Sequence, residues 1–227
     1  MNFIFIILTF LISAVIARIL IPRILLISLR KKLFDIPDDR KIHKRAIPRL
    51  GGVSFFPTTL FAFCLVYAFR LLDGDSISTL YASYLLLELL LFACGMTLLY
   101  LTGIADDLVG VRYRQKFAIQ IFCACLFPLS GLWINDLYGL FGIHELSAYV
   151  GIPFTVLTVV FITNAINLID GIDGLASGLS SVALLVFTFL FISKGLWSYA
   201  MLSAGTFGVL VPFFYYNVFG SVERARK

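Results

Sequence analysis

Apolar stretches of about 20 residues, the length that crosses a hydrocarbon core roughly 30 Å thick, recur along this chain. They fall at about 2–27, 51–72, 80–103, 116–134, 150–167, 175–193 and 197–216. With 60% of its 227 residues hydrophobic and 14% charged, the chain carries more apolar surface than a water-soluble globule can hide. The expectation is an all-α fold: a polytopic transmembrane helix bundle of about seven spans, forming one domain over 1–227. The first run has no basic residues ahead of it and continues past the weak cleavage-like Ala14 to Ala17, so it reads as a retained span rather than a signal peptide.

Charge then orients the bundle. The segment after the first span holds Arg30, Lys31, Lys32, Arg40, Lys41, Lys44, Arg45 and Arg49, whereas the connection around Asp73 to Ser78 holds no basic residue. By the positive-inside rule that basic segment is cytoplasmic. Alternation places the N-terminus outside and puts 106–115, 167–174 and the basic tail at 223–227 in the cytoplasm. The net charge of +5 is therefore a membrane-topology signal, and nucleic acid is not an expected partner. Residues 133–152 are polar enough to leave the membrane, and the glycines in Asp136-Leu-Tyr-Gly-Leu-Phe-Gly142 predict a short external hairpin. Cys64, Cys94, Cys123 and Cys125 lie within apolar runs without zinc-type spacing and read as small buried hydrophobes.

Three polar clusters come to the cytoplasmic face in this topology. One is Asp35-Ile-Pro-Asp-Asp-Arg-Lys-Ile-His43 with Pro48-Arg-Leu-Gly-Gly52; the next is Asp106-Asp107 with Lys116. The third is Asn164-Ala-Ile-Asn167-Leu-Ile-Asp170-Gly-Ile-Asp173-Gly174. Carboxylates and carboxamides at the ends of apolar helices are costly to desolvate and usually face a cavity or an ion. Hard oxygen donors of this kind suit Mg²⁺, which takes one or two carboxylates together with waters and substrate phosphates. Asp170 and Asp173 would share a face if helical, while Gly171 and Gly174 would permit a broken helix end. Lys116 is placed to neutralise a phosphate.

Simpler readings of each cluster stay open at this point. An acidic pair at a helix end is often a solvated cap, the Asn/Asp/Gly cluster could be small-residue packing with a polar turn, and His43 reads more readily as a structural or headgroup contact than as a base. A secondary transporter would place polar residues deep within several spans; here they sit mainly at one face.

Taken together, the three clusters resemble the polyprenyl-phosphate N-acetylhexosamine-1-phosphate transferase family (glycosyltransferase family 4). That family includes the enterobacterial common antigen and teichoic acid initiating enzymes and, more distantly, phospho-MurNAc-pentapeptide translocase. The resemblance runs almost end to end, and Pro48-Arg-Leu-Gly-Gly52 is closer in form to the antigen and teichoic acid branch. It implies a Mg²⁺-dependent enzyme, with Mn²⁺ as the alternative ion. A polyprenyl (undecaprenyl) phosphate would attack the β-phosphorus of a UDP-N-acetylhexosamine and release UMP, at the cytoplasmic face of a bacterial inner membrane. Carried over by position, Asp106 and Asp107 hold or deprotonate the lipid phosphate, and Lys116 contacts phosphate. Asn167 and Asp107 lie at the metal, Asp170 and Asp173 line the nucleotide-sugar site, and Asn164 and His43 complete the substrate contacts. A homodimer is the assembly to test.

The departure comes after Tyr216-Asn217. Members of the family continue into a Gly-Asp-Ser/Thr-Gly motif, further spans and a His-rich loop, whereas this sequence stops at Lys227. The expectation is a chain incomplete at its C-terminus, and a non-catalytic paralogue is the rival reading.

Overall fold

The computed structural model describes residues 2–31, 34–35, 47–48, 51–73, 79–170 and 172–219. Seven helices carry these residues: α1 (Asn2–Arg30), α2 (Phe55–Leu72), α3 (Thr79–Val109), α4 (Tyr113–Leu129), α5 (Ala148–Ile169), α6 (Leu175–Ser193) and α7 (Trp197–Phe219). A two-residue antiparallel ladder pairs β1 (Phe34–Asp35) with β2 (Ile47–Pro48). His43 lies outside the described residues.

The polarity of the packing is that of a membrane protein. Large apolar side chains such as Phe61, Phe69, Leu86, Leu157, Phe161 and Phe189 face outward, while Thr9, Ser13, Thr58, Thr155, Thr188 and Ser203 are buried. Lipid solvates Leu and Phe as well as a protein core does, so helices associate through small and hydroxyl-bearing residues instead. Several hydroxyls are satisfied within their own helix: Thr9 donates to the Phe5 carbonyl at 2.7 Å and Thr188 to that of Leu184 at 2.8 Å. Six helices among the described residues, all but α4, are long and apolar enough to span a bilayer.

The chain forms two compact units. The first comprises Met1–Asp75 and Leu168–Lys227, and α7 is its centre, packed against α1, α2 and α6. Gly205 and Gly208 give α7 a smooth face toward α1. A Cβ at Gly208 would lie 2.5 Å from the Phe10 carbonyl oxygen, and one at Gly205 would lie 2.9 Å from Thr9 Cγ2. Ala17, Ile21 and Val209 continue the seam, with Phe55, Phe213 and Tyr216 packed on it.

The second unit, Ser76–Asn167, holds α3, α4 and most of α5. Gly95 lets α3 approach α4 closely enough for the Cys123 thiol to lie 3.5 Å from the Gly95 carbonyl. Cys123 is buried as expected, but Cys64, Cys94 and Cys125 are exposed on the outer surface, which corrects the reading of all four as buried.

The fourth span also differs from expectation. It was read at 116–134, but the helix occupies Tyr113–Leu129. Gly131, at φ +91°, stops it. The Leu132 N–H donates to the Phe127 carbonyl and the Gly131 N–H to that of Pro128, each at 3.0 Å. This is the glycine-terminated reverse turn that satisfies the last carbonyls of a helix. Beyond it the expected hairpin forms, bridged between Asp136 and Glu145.

Candidate active site

Asp106 stands in the last turn of α3, and its own chain closes around it. The Gly110 N–H donates to the Asp106 carbonyl at 3.0 Å, with Gly110 at φ +74° where a side chain would be strained. The Val111 N–H donates to Asp106 Oδ1 at 2.9 Å, and Lys116 Nζ donates to Oδ2 at 2.5 Å. One carboxylate thus fixes the turn between α3 and α4 and holds the cation of α4. Asp106 and Lys116 keep about a third of their side-chain surface, 34% and 37%. Ion pairs at that exposure contribute only ~0.2–1 kcal/mol, too little to make stability their main use. Asp107 follows in the same turn and is half-buried.

The start of α4 breaks a local rule. A helix N-terminus carries a partial positive charge and favours acidic side chains. Yet α4 begins Arg112-Tyr-Arg-Gln-Lys116, with no acidic residue in its first turn and no side-chain cap from Arg112. Arg112 and Arg114 on the positive end of a helix repel each other and the dipole, and of the three cations Lys116 is offset by its pair with Asp106. They make sense as a receptor for a polyanion, since backbone N–H groups and basic side chains then point at one ligand.

One turn deeper on the Lys116 face of α4 lies Gln120, which the sequence reading passed over. Its Oε1 accepts a hydrogen bond from Asn164 Nδ2 at 2.8 Å, and Asn164 Nδ2 also donates to the Val160 carbonyl at 2.8 Å. A backbone carbonyl only accepts, so the Asn164 amide orientation is fixed, and its Oδ1 is left as the acceptor to be presented. The available signal was a carboxamide four residues after Lys116 in an otherwise apolar helix. In this way α4 links the end of α3 to the last turns of α5. Asn167 is exposed one turn beyond Asn164.

Asp170 and Asp173 belong to the first unit and sit on the turn between α5 and α6. The helical alternative for this pair is therefore excluded and the broken helix end is found. The turn is held by the Leu175 N–H donating to the Ile172 carbonyl at 3.0 Å. Gly174 is at φ +78°, and a Cβ there would lie 2.4 Å from Val218 Cγ2; no other residue fits. Although Asp170 is exposed as a whole residue, partial desolvation pushes its carboxyl above the ordinary 3.8.

Asp107 and Asn167 supply oxygen donors only, and no group of three His, Cys, Asp or Glu side chains suited to a metal occurs among the described residues. That donor set does not suit zinc. It does fit Mg²⁺, which needs few protein ligands when substrate phosphates and water supply the rest.

Fold and site together define a multi-pass membrane protein with phosphate-suited groups at helix ends in each of its units. The family model described as glycosyl transferase family 4 matches residues 89–222, and the chain belongs to that family. Among its relatives is a probable undecaprenyl-phosphate N-acetylglucosaminyl 1-phosphate transferase of Bacillus subtilis. It is 29% identical over 213 residues, covering 93% of this chain and 55% of the relative. A phospho-N-acetylmuramoyl-pentapeptide-transferase of Staphylococcus carnosus is 28% identical over 94% of this chain and 65% of its own length. An undecaprenyl-phosphate alpha-N-acetylglucosaminyl 1-phosphate transferase of Thermotoga maritima is 30% identical over 74% and 47%. The chain therefore spans about half to two thirds of these relatives, and identity alone does not choose between the two kinds.

Proposed function

We propose that this chain belongs to an enzyme that transfers an N-acetylhexosamine 1-phosphate from a UDP-sugar to a polyprenyl phosphate, releasing UMP, at the start of cell-envelope polysaccharide synthesis. The observation that carries the reading is the cationic N-terminus of α4 beside the Asp106-Asp107 pair. A polyanion is the ligand that such a helix end accommodates. The relatives' names supply the class of phosphate, and Pro48-Arg-Leu-Gly-Gly52 favours the N-acetylhexosamine branch.

In the reaction, an oxygen of the lipid phosphate forms a bond to the β-phosphorus of the UDP-sugar. The bond from that phosphorus to the bridging oxygen breaks, and its electron pair leaves with UMP. Phosphoryl transfer of this kind depends on positioning and charge neutralisation more than on covalent chemistry. Asp106 accepts hydrogen bonds on both oxygens and so shapes the turn and holds Lys116 ready, and Asp106 and Asp107 together hold or deprotonate the lipid phosphate. Lys116, with Arg112 and Arg114 nearby in sequence, neutralises the phosphates. Asn164 presents an acceptor to the substrate; Asp170 and Asp173 contact the nucleotide-sugar, and His43 is a further substrate contact.

Mg²⁺, or Mn²⁺ in its place, would be held by Asp107 and Asn167 and would supply charge neutralisation at the transferring phosphates. By the positive-inside rule this face is taken as cytoplasmic, with the N-terminus outside, and a bacterial inner membrane is the proposed location on resemblance to the relatives. A homodimer is the proposed assembly on resemblance alone.

The test is UMP release by the chain in detergent with undecaprenyl phosphate and, in parallel, UDP-GlcNAc, UDP-GalNAc or UDP-MurNAc-pentapeptide. Release with an N-acetylhexosamine donor, abolished by EDTA and by Asp107→Asn, is expected. Release that survives EDTA, or appears only with the pentapeptide donor, overturns the metal or the sugar assignment respectively. No release with any donor overturns the activity.

A further inference from the structure

The hairpin between α4 and α5 takes no part in that chemistry, and its geometry is unusual for a water-exposed turn. Its tip presents Tyr138 and Phe141 at 88% and 89% exposure, with Tyr149 at 93% in the first turn of α5 and Leu140 beside them. Tyr138 and Phe141 also adopt φ of 51° and 56°, a region that costs a non-glycine residue ~1 kcal/mol or more. The backbone is thus strained at the two residues whose rings are most exposed, each next to a glycine, Gly139 or Gly142, that could have carried the turn alone. No Lys or Arg occurs between Lys116 and Lys194, so attraction to acidic partners does not explain the loop.

Two measures of depth locate this tip. After its cationic first turn, α4 has the thirteen apolar-side residues Phe117 to Leu129. At ~1.5 Å per residue they rise about 20 Å, some 10 Å less than a hydrocarbon core of roughly 30 Å. Independently, the Ile134 N–H donates to Thr155 Oγ1 at 2.8 Å. Thr155 lies seven residues into α5, but its hydroxyl leans back onto the Gly151 carbonyl at 2.7 Å, so the contact lies roughly 5 Å, about one turn, below the helix start. Gly151 makes room for this base, since a Cβ there would lie 2.5 Å from both the Ile134 carbonyl oxygen and the Trp133 ring. The chain regains the level of the α5 N-terminus at Asn135, whose carbonyl accepts from the Leu146 N–H at 2.8 Å. The hairpin base is therefore sunk in the span, and the tip stands only a few residues above it.

We propose that this tip is an interfacial membrane anchor. Tyr138, Phe141 and Tyr149 seat in the headgroup and acyl boundary of the leaflet at the far end of α4 from Lys116. Aromatic rings with one polar edge favour that layer. The anchor compensates the shortness of α4: with the cations at one end and the aromatic tip at the other, α4 is held at a fixed depth, and Lys116 and Gln120 with it.

The test reads position directly. The four native cysteines are replaced by alanine, and Phe141→Cys or Tyr149→Cys is labelled with an environment-sensitive fluorophore. The chain is then reconstituted in phosphatidylethanolamine and phosphatidylglycerol vesicles. Expected is a blue-shifted emission, quenched more by lipids with a nitroxide high on the acyl chain than by those with one near its end, and protected from iodide. Quenching by iodide without quenching by lipid places the tip in water and overturns the proposal. Protection from both quenchers means that protein, such as a second copy of the chain, covers the tip, and overturns it equally. Position 149 is helical and reports even where a hairpin substitution disturbs the turn.

Discussion

Replacing Gln120 with Leu removes the acceptor that holds Asn164 while keeping the volume of the side chain. Asn164 Nδ2 retains its bond to the Val160 carbonyl at 2.8 Å and loses the equally short one to Gln120. Interhelical hydrogen bonds inside membrane proteins average about 0.6 kcal/mol and reach about 1.7, so a loss near 1 kcal/mol is the working figure. That corresponds to about a fivefold change in how often the Asn164 amide occupies its held orientation, since 1.4 kcal/mol is tenfold. If Asn164 presents its Oδ1 to the substrate, kcat for UMP release should fall by about that factor, with KM for the UDP-sugar little changed. The thermal midpoint in detergent should drop slightly. Gln120→Glu keeps an acceptor at the same reach and should restore most of the rate. An unchanged kcat in Gln120→Leu would refute the positioning argument. So would a loss of a hundredfold or more, because a group acting through one hydrogen bond to another residue has no means to produce it.

Further outcomes follow from the same geometry. Arg114→Glu places an acidic residue in the first turn of α4 and should stabilise the helix by ~0.3–1 kcal/mol while weakening phosphate binding; a raised thermal midpoint with a raised KM is expected, and a lowered midpoint contradicts the claim of a strained cationic terminus. Gly208→Ala forces a Cβ against the Phe10 carbonyl and should destabilise by ~1–3 kcal/mol, measured by thermal unfolding in detergent, whereas the same change at Gly103, where nothing lies within 4 Å of the added Cβ, should cost little. Desolvation raises the Asp170 pKa in the folded state, so its stabilising contribution is complete below the ordinary 3.8 and is lost as pH rises through the folded value. Asp170→Asn should therefore gain stability relative to the parent chain as pH rises through that window, and a difference that stays flat or reverses sign would count against the desolvation.

The spans were legible because crossing a bilayer demands a continuous apolar run, and six of the seven helices keep the places that hydropathy gave them. The end of α4 was not, because Leu132, Trp133 and Ile134 are as apolar as the helix before them; only Gly131 marks the stop, and a glycine within an apolar run is also ordinary span packing. Asp106 and Lys116 were legible as a pair of chemical types, but their ion pair depends on the reversal at Gly110, which spacing alone does not fix. Gln120 escaped because a single carboxamide in a span has no periodic partner in sequence; its partner lies 44 residues away on α5. The seam of Thr9, Ser13, Gly205 and Gly208 escaped for a related reason: small residues say that helices approach closely but not which helices.

The depth of the polar groups bears on what kind of protein this is. Asp106 lies 27 residues after the start of α3, about 40 Å along the helix at ~1.5 Å per residue. That exceeds a hydrocarbon core of roughly 30 Å by two turns, so an upright α3 carries its carboxylates past the core and a tilted one brings them to its edge. Lys116 in the first turn of α4 is at the same level, through the ion pair. Gln120 and Asn164 reach only one further turn inward. A transporter that alternates access needs its polar groups near the midplane, reachable from both sides. Glu88 within α3 apart, the gradient around Asp106 and Lys116 runs from charged groups at the boundary to neutral amides just below it, and then to apolar residues. Such a gradient suits a reaction between a water-soluble nucleotide-sugar and a lipid whose phosphate stays at the surface while its tail lies in the core. Under the proposed function, charged groups at the boundary would meet the two phosphates where both can arrive, and neither would have to be carried into hydrocarbon.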